Sequence, residues 1–214
     1  MKLYNYFRSS ASFRVRIALN LKGLPYEYSV VHLTRDGGQQ FAPAFLAINP
    51  DALIPVLEDD GERVTQSLAI IEYLEETHPQ PPLLPTGAVD RAYVRSIALA
   101  IACEIHPLNN LRVLRYLVRD LKVSDDQKNA WYRHWVEQGL AAIEARLVAE
   151  KKFGRFALGD AVTLADVVIV PQIFNARRFD CRLDDVPTVM GIFDRCMELP
   201  AFIEAQPARQ PDAE

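Results

Sequence analysis

Three serines, Ser9, Ser10 and Ser12, stand near the start of the chain in "YFRSSASFRVRIALNLKG", Tyr6 to Gly23. They follow a strand-like stretch, "KLYNYF", and open an apolar pattern that puts Ala11, Val15, Ala18 and Leu19 on one helical face. A helix start carries unpaired backbone amides and about half a positive charge, so it favours an anion. Where such a turn carries Cys-x-x-Cys, that field lowers the cysteine pKa. Here the spacing is Ser9-x-x-Ser12, and the first cysteine of the chain is Cys103. Dithiol redox chemistry is therefore excluded at this turn. Serine hydroxyls suit another task, donating a hydrogen bond to a thiolate that arrives with a ligand. A serine before an apolar helical run also serves as a plain N-cap, so the turn by itself leaves both readings open.

A second stretch, "ALIPVLEDDGERVTQSLAIIEYL", adds two features. Ile54-Pro55 opens a strand where proline is awkward, and a cis bond there would leave the backbone of Ile54 to pair with an extended, peptide-like ligand. Gln66-Ser67 stands where a strand enters a helix, a second anion-favouring start suited to a carboxylate such as that of a γ-glutamyl group. A thiol ligand with a γ-glutamyl carboxylate is glutathione.

The elements that must position these residues follow from periodicity and breakers. "KLYNYF" and "YEYSVVHL" read as strands around the first helix, which stops at Gly23 with Pro25 after it. A short helical piece is expected near "FAPAFLAIN". "IPVLED" and "ERVTQS" flank an Asp-Asp-Gly turn and form a hairpin, and "SLAIIEYLEETH" closes the half as a helix with Leu68, Ile71 and Leu74 on one face. The order is β-α-β-α-β-β-α. The proline-rich stretch "HPQPPLLPTGAVD", His78 to Asp90, marks a boundary. We place one domain over 1–80, a linker over 81–89 and an all-helical domain over 90–214. In the latter, "DRAYVRSIALAIACEI" opens on Asp90 and "SDDQKNAWYRHWVEQGLAAIEARLVAE" on Ser124. "TLADVVIVPQIFNARRF" opens on a Thr163-x-x-Asp166 capping box, and a last helix runs from about Pro187 to Glu198.

Bulk properties exclude several function classes. Lys and Arg number 24 against 28 Asp and Glu, a net charge of −4, which favours neither nucleic acid nor an anionic membrane. No apolar run approaches the ~20 residues of a membrane span. The chain opens on a strand-like stretch without a signal-peptide layout. Cys103, Cys181 and Cys196 are odd in number and widely spaced, which fits reduced thiols in a cytoplasmic protein and no metal site.

Four stretches together resemble the zeta class of glutathione transferases: the serine stretch, "NPDALIPVLEDDGERVTQSLAIIEYLEE", "IHPLNNLRVLRYL" and "GDAVTLADVVIVPQIFNARRF". The likeness covers essentially the whole chain. In that class Ser-Ser-Cys-Ser usually precedes an aromatic and an Arg, and Ala11 stands here in the cysteine's place. No cysteine can then be required at this turn. The resemblance implies a thioredoxin-like domain followed by a helical bundle, a homodimer, and glutathione as cofactor. It also implies isomerisation of a cis diketo acid, maleylacetoacetate to fumarylacetoacetate, with maleylpyruvate as the alternative substrate. A general glutathione transferase or peroxidase, and a non-enzymatic interaction module of the same fold, are the rival readings.

On this basis Ser9 is the main hydrogen-bond donor to the glutathione sulfur, assisted by Ser10 and the amides around Ala11 and Ser12. Tyr4 and Tyr6, alternatives used in other classes, fit better as packing residues of the strand. The doubly anionic substrate calls for arginine, which holds a carboxylate with two parallel bonds. The candidates are Arg8, Arg112 and Arg178, with Arg178 preferred to Arg177 by likeness to the class. His106, Asn109 and Asn110 are placed on glutathione, His106 equally fitting a structural role. Gln40, beside Gln39, is the candidate for the glycyl end.

Overall fold

The structure, a computed structural model, describes all residues from Met1 to Glu214. The chain forms two compact units: Met1–Pro82 with Met197–Glu214, and Leu83–Cys196. No helix is long and apolar enough to cross a membrane.

The first unit is built on strands β1 (Lys2–Asn5), β2 (Glu27–Val30), β3 (Val56–Asp59) and β4 (Glu62–Thr65). They form one sheet in the order β2-β1-β3-β4, with β1 parallel to β2 and the other pairs antiparallel. Strand β1 stops at Asn5, short of the expected Phe7, because Tyr6 and Phe7 already belong to the turn. Helix α1 (Ser10–Leu21) is buried at every position from Ser12 to Leu19, Arg14 and Arg16 included. It ends as anticipated at Gly23, whose φ of +65° lets the amides of Gly23 and Leu24 bond back to Asn20 and Leu19. The Asp60-Gly61 turn has both residues at positive φ, the geometry that matches hairpin twist. Short helix α2 (Pro43–Leu46) and helix α3 (Ser67–Thr77) complete the thioredoxin-like β-α-β-α-β-β-α order.

The second unit is helical. Helix α4 (Ala88–Leu99) starts two residues before Asp90 and passes into a wider π-helical turn over Ala100–Ile105. A 3-10 turn, Pro107–Asn109, leads into α5 (Leu111–Arg119), which periodicity had not indicated. Helix α6 (Asp125–Glu150) begins on a complete Ser124/Gln127 capping box. Helix α7 (Leu164–Arg178) is buried throughout Leu164–Ile173, and α8 (Pro187–Cys196) packs on it. The expected boundary at residue 90 and the expected run to 214 differ from this division at both ends. Leu83 begins the second unit, and Met197–Glu214 returns to the first. That return carries α9 (Pro200–Ala205), which packs along α1 and buries Phe202.

Candidate active site

Strand register brings the candidate residues of the first unit together. Asn5 pairs with Val30, Tyr4 with Val56, and Val56 with Thr65. The exit of β1, the entry of β3 and the exit of β4 therefore lie at one end of the sheet. Those points lead directly into Tyr6–Ser9, out of Ile54-Pro55, and into Gln66-Ser67. The Ile54-Pro55 bond is cis.

Ser9 is the N-cap of α1. Its backbone is extended, and its Oγ accepts a hydrogen bond from the Ser12 amide at 3.2 Å. The cap and the proposed donor are thus one group, because accepting at oxygen leaves the hydroxyl hydrogen to be donated. Ser10 is buried, and Ser12 is fully buried with its hydroxyl oxygen lacking a protein partner. Ala11 is half-buried on the same turn.

At the second helix start, Gln66 has φ +67°, in the left-handed region where a side-chain-bearing residue is strained. Ser67 is buried, and its Oγ accepts from Arg14 Nη1 at 3.3 Å. Arg14 thereby joins the two helix starts from beneath, a role sequence reasoning missed. The available signal was an arginine at a position flanked by apolar helix residues.

Tyr6 is buried, edge-on to Phe7 and to His32 at 4.7 Å each, and burial raises its pKa. Tyr4 packs edge-on to Phe45. Both rings pack against aromatic neighbours of the first unit. Gln40 is buried, its amide donating to the Leu33 carbonyl at 3.5 Å, while the Gln39 side chain accepts from the His32 amide at 2.8 Å. Both glutamines hold their own loop. Arg8 is exposed beside the turn, its guanidinium 4.8 Å from the Phe7 ring centre.

In the second unit Asn109 and, through Phe179, Arg178 reach Tyr132 of α6. His106, half-buried, directly follows the π turn. Trp131 donates to the Leu108 carbonyl at 2.9 Å, and Asn109 donates to the Tyr132 carbonyl at 3.5 Å. Asn110 caps α5 by accepting from the Arg112 amide at 3.1 Å, and the Arg112 side chain is exposed. Phe179 stacks on Tyr132 at 3.7 Å, and Arg178 lies over Phe179. Arg177 instead sits over Phe193 and faces Asp194 at 3.9 Å. The structure thus separates the neighbouring arginines at the end of α7: the Arg177 side chain turns to Phe193 and Asp194 of α8, and that of Arg178 to Phe179.

All three cysteines are free. Burial pushes Cys181 up to about 12 and raises Cys196 further, so neither is a nucleophile near neutral pH. No group of His, Cys, Asp and Glu side chains is arranged to hold a metal ion.

The family described as glutathione S-transferase, N-terminal domain, matches residues 3–82. A probable maleylacetoacetate isomerase of Vibrio cholerae is 50% identical over 99% of this chain and 97% of its own. A solved holo structure of a maleylpyruvate isomerase, a bacterial zeta-class glutathione transferase, superposes with TM-score 0.97 at 46% identity, covering 100% of both chains. A maleylacetoacetate isomerase of Methylobacterium extorquens, solved with malonate and glutathione, superposes with TM-score 0.96 at 42% identity, again over 100% of both chains.

Proposed function

The chain belongs to the zeta class of glutathione transferases, and from that premise we propose that it is a glutathione-dependent cis–trans isomerase acting on maleylacetoacetate. Maleylpyruvate, one carbon unit different and presenting the same carboxylates, is the alternative substrate. One observation carries the reading furthest: the starts of α1 and α3 open at the same end of the sheet and are tied together by Arg14 on Ser67. Two anion-favouring helix starts suit a ligand with a thiolate near one end and a carboxylate at the other.

The residues present fit glutathione by the chemistry of their donors. When bound, glutathione would supply a thiolate nucleophile able to add reversibly to the cis alkene beside the ketone, the chemistry that permits rotation and returns the thiolate unchanged. Ser9 donates its hydroxyl hydrogen to the sulfur, with Ser10 and the amides at Ala11 and Ser12 in support. A free thiol has a pKa of about 8.5, and hydroxyl donors at a helix start lower it. The backbone of Ile54 pairs with the peptide portion. Gln66 and Ser67 receive the γ-glutamyl carboxylate, and the strained backbone of Gln66 is the local cost of that presentation. His106, Asn109 and Asn110 complete the binding set, and Gln40 is the candidate for the glycyl end. Arg8, Arg112 and Arg178 hold the substrate carboxylates, Arg178 supported by the Phe179–Tyr132 stack. A homodimer is part of the same reading, and free cysteines support a cytoplasmic setting.

The deciding test is a coupled assay on purified protein with glutathione far below substrate. Many turnovers per glutathione, with none in its absence, are expected, and the ratio between maleylacetoacetate and maleylpyruvate names the substrate. Stoichiometric loss of glutathione would mean a conjugating transferase instead. Absence of reaction despite glutathione binding would remove the isomerase.

A further inference from the structure

Arg16 is a buried cation with no carboxylate on its guanidinium. Its side chain is fully buried in the core of the first unit, two helical turns along α1 from Ser9. Burial lowers its pKa to about 10, so it remains charged at neutral pH. The charge is met by oxygen dipoles. Nη1 donates to Asn5 Oδ1 at 3.1 Å and to the Tyr6 carbonyl at 3.4 Å, Nη2 to the Phe7 carbonyl at 3.0 Å, and Nε to the Ala205 carbonyl at 3.1 Å. Ala205 ends α9, where a cation is favoured by the unpaired carbonyls.

The targets of this fork matter. Tyr6 and Phe7 are the residues between β1 and Arg8-Ser9, and the Tyr6 carbonyl also accepts from the Ser9 amide at 3.0 Å. The other side of the same turn is held by the returning chain end. The Asp212 carboxylate accepts from the Phe7 amide at 3.1 Å and from the Tyr28 hydroxyl. The turn that delivers Ser9 is therefore clamped through its carbonyls by Arg16 and through its Phe7 amide by Asp212. A planar fork with fixed donor directions suits this task better than a flexible ammonium.

We propose that Arg16 and Asp212 are positioning residues that hold the Tyr6–Ser9 turn so that the Ser9 hydroxyl faces the glutathione sulfur. Neither touches the reacting atoms. The proposal rests on the glutathione-dependent reading above, since it assigns the means by which that site is held in register.

The Asp212 clamp can be separated from a simple charge effect. Deleting the negative charge of Asp212 without moving the turn would make the site more positive and lower the thiol pKa. Loosening the turn raises it, because the Ser9 donor is lost. The measurement is the pKa of the glutathione thiol bound to full-length protein, followed by thiolate absorbance, with glutathione affinity and thermal midpoint recorded alongside. In Asp212→Ala the bound-thiol pKa is expected to rise by about one unit toward its free value, with about tenfold lower kcat at neutral pH. Glutathione affinity should change less than twofold. Arg16→Met should shift the thiol in the same direction and further. If Arg16→Met does not fold, Asp212→Ala decides alone. A folded Asp212→Ala with an unchanged or lowered thiol pKa overturns the positioning role while leaving the isomerase intact. A wild-type protein that binds no glutathione overturns the isomerase reading first, and the positioning role with it.

Discussion

Ser9 combines two roles that sequence alone presents as rivals. Its oxygen caps α1 by accepting from Ser12, and its hydrogen remains for a ligand. Ser9→Ala should therefore lower kcat by about 10²-fold, the scale of losing one donor to a developing anion. It should cost only about 1 kcal/mol of stability as a lost cap. Ser10→Ala should do much less, because Ser10 is buried. Steady-state kinetics of the two variants at saturating glutathione check this, and equal losses would contradict the assignment to Ser9. At this scale the serine turn and the Gln66-Ser67 corner were legible as helix starts, because helix starts are local. Arg14 and Arg16 were not. Their residue type predicts exposure, and acceptors brought from Asn5, Tyr6, Phe7, Ser67 and Ala205 make their burial tolerable.

Among the elements, α7 depends most on its first turn. The Asp166 carboxylate is wholly buried and accepts from the Ala157 amide at 2.8 Å and from the amide and hydroxyl of Thr163 at 2.7 and 2.9 Å. Burial pushes its pKa up to about 6 despite these bonds. Asp166→Asn should destabilise the protein by about 1–2 kcal/mol. Because the folded pKa lies above the ordinary carboxylate value, the titration-linked part of Asp166's contribution is full below about pH 4. It is lost as pH rises through about 6. The gap in thermal midpoint between wild type and variant should accordingly narrow from pH 4 to pH 7, and a widening gap would refute the raised pKa. Capping boxes were readable from Thr163 and Asp166 because both partners are close in sequence. The π turn over Ala100–Ile105 was not, since its apolar residues fit an ordinary helix equally well. A Cβ on Gly139 of α6 would lie 2.4 Å from Ile105, so this re-wound turn packs directly on helix backbone.

At the scale of the whole molecule, the first unit is discontinuous: its sheet and first helices are completed by Met197–Glu214. Phe202, fully buried beside α1, is the main apolar contribution of that return. Phe202→Ala should cost about 3–5 kcal/mol in denaturant unfolding. It should also raise the pKa of the bound glutathione thiol, since α9 supplies the Ala205 carbonyl that holds Arg16. A large stability loss with an unchanged bound-thiol pKa in the folded variant would separate α9 from the site.

The amino-acid sequence by itself determined the β-α-β-α-β-β-α order, the two helix starts at Ser9 and Gln66-Ser67, the helical second half and the resemblance that names the ligand. Each of these rests on interactions among residues within a few positions of one another, or on short motifs. Tertiary structure alone decided that Ile54, Ser9 and Ser67 share one end of the sheet, because strand register is a long-range pairing. It alone decided which of Arg177 and Arg178 faces Asp194. And it alone brought the end of the chain back to the start, where Ala205 and Asp212 close on the turn that carries Ser9, a contact spanning nearly the full length of the sequence.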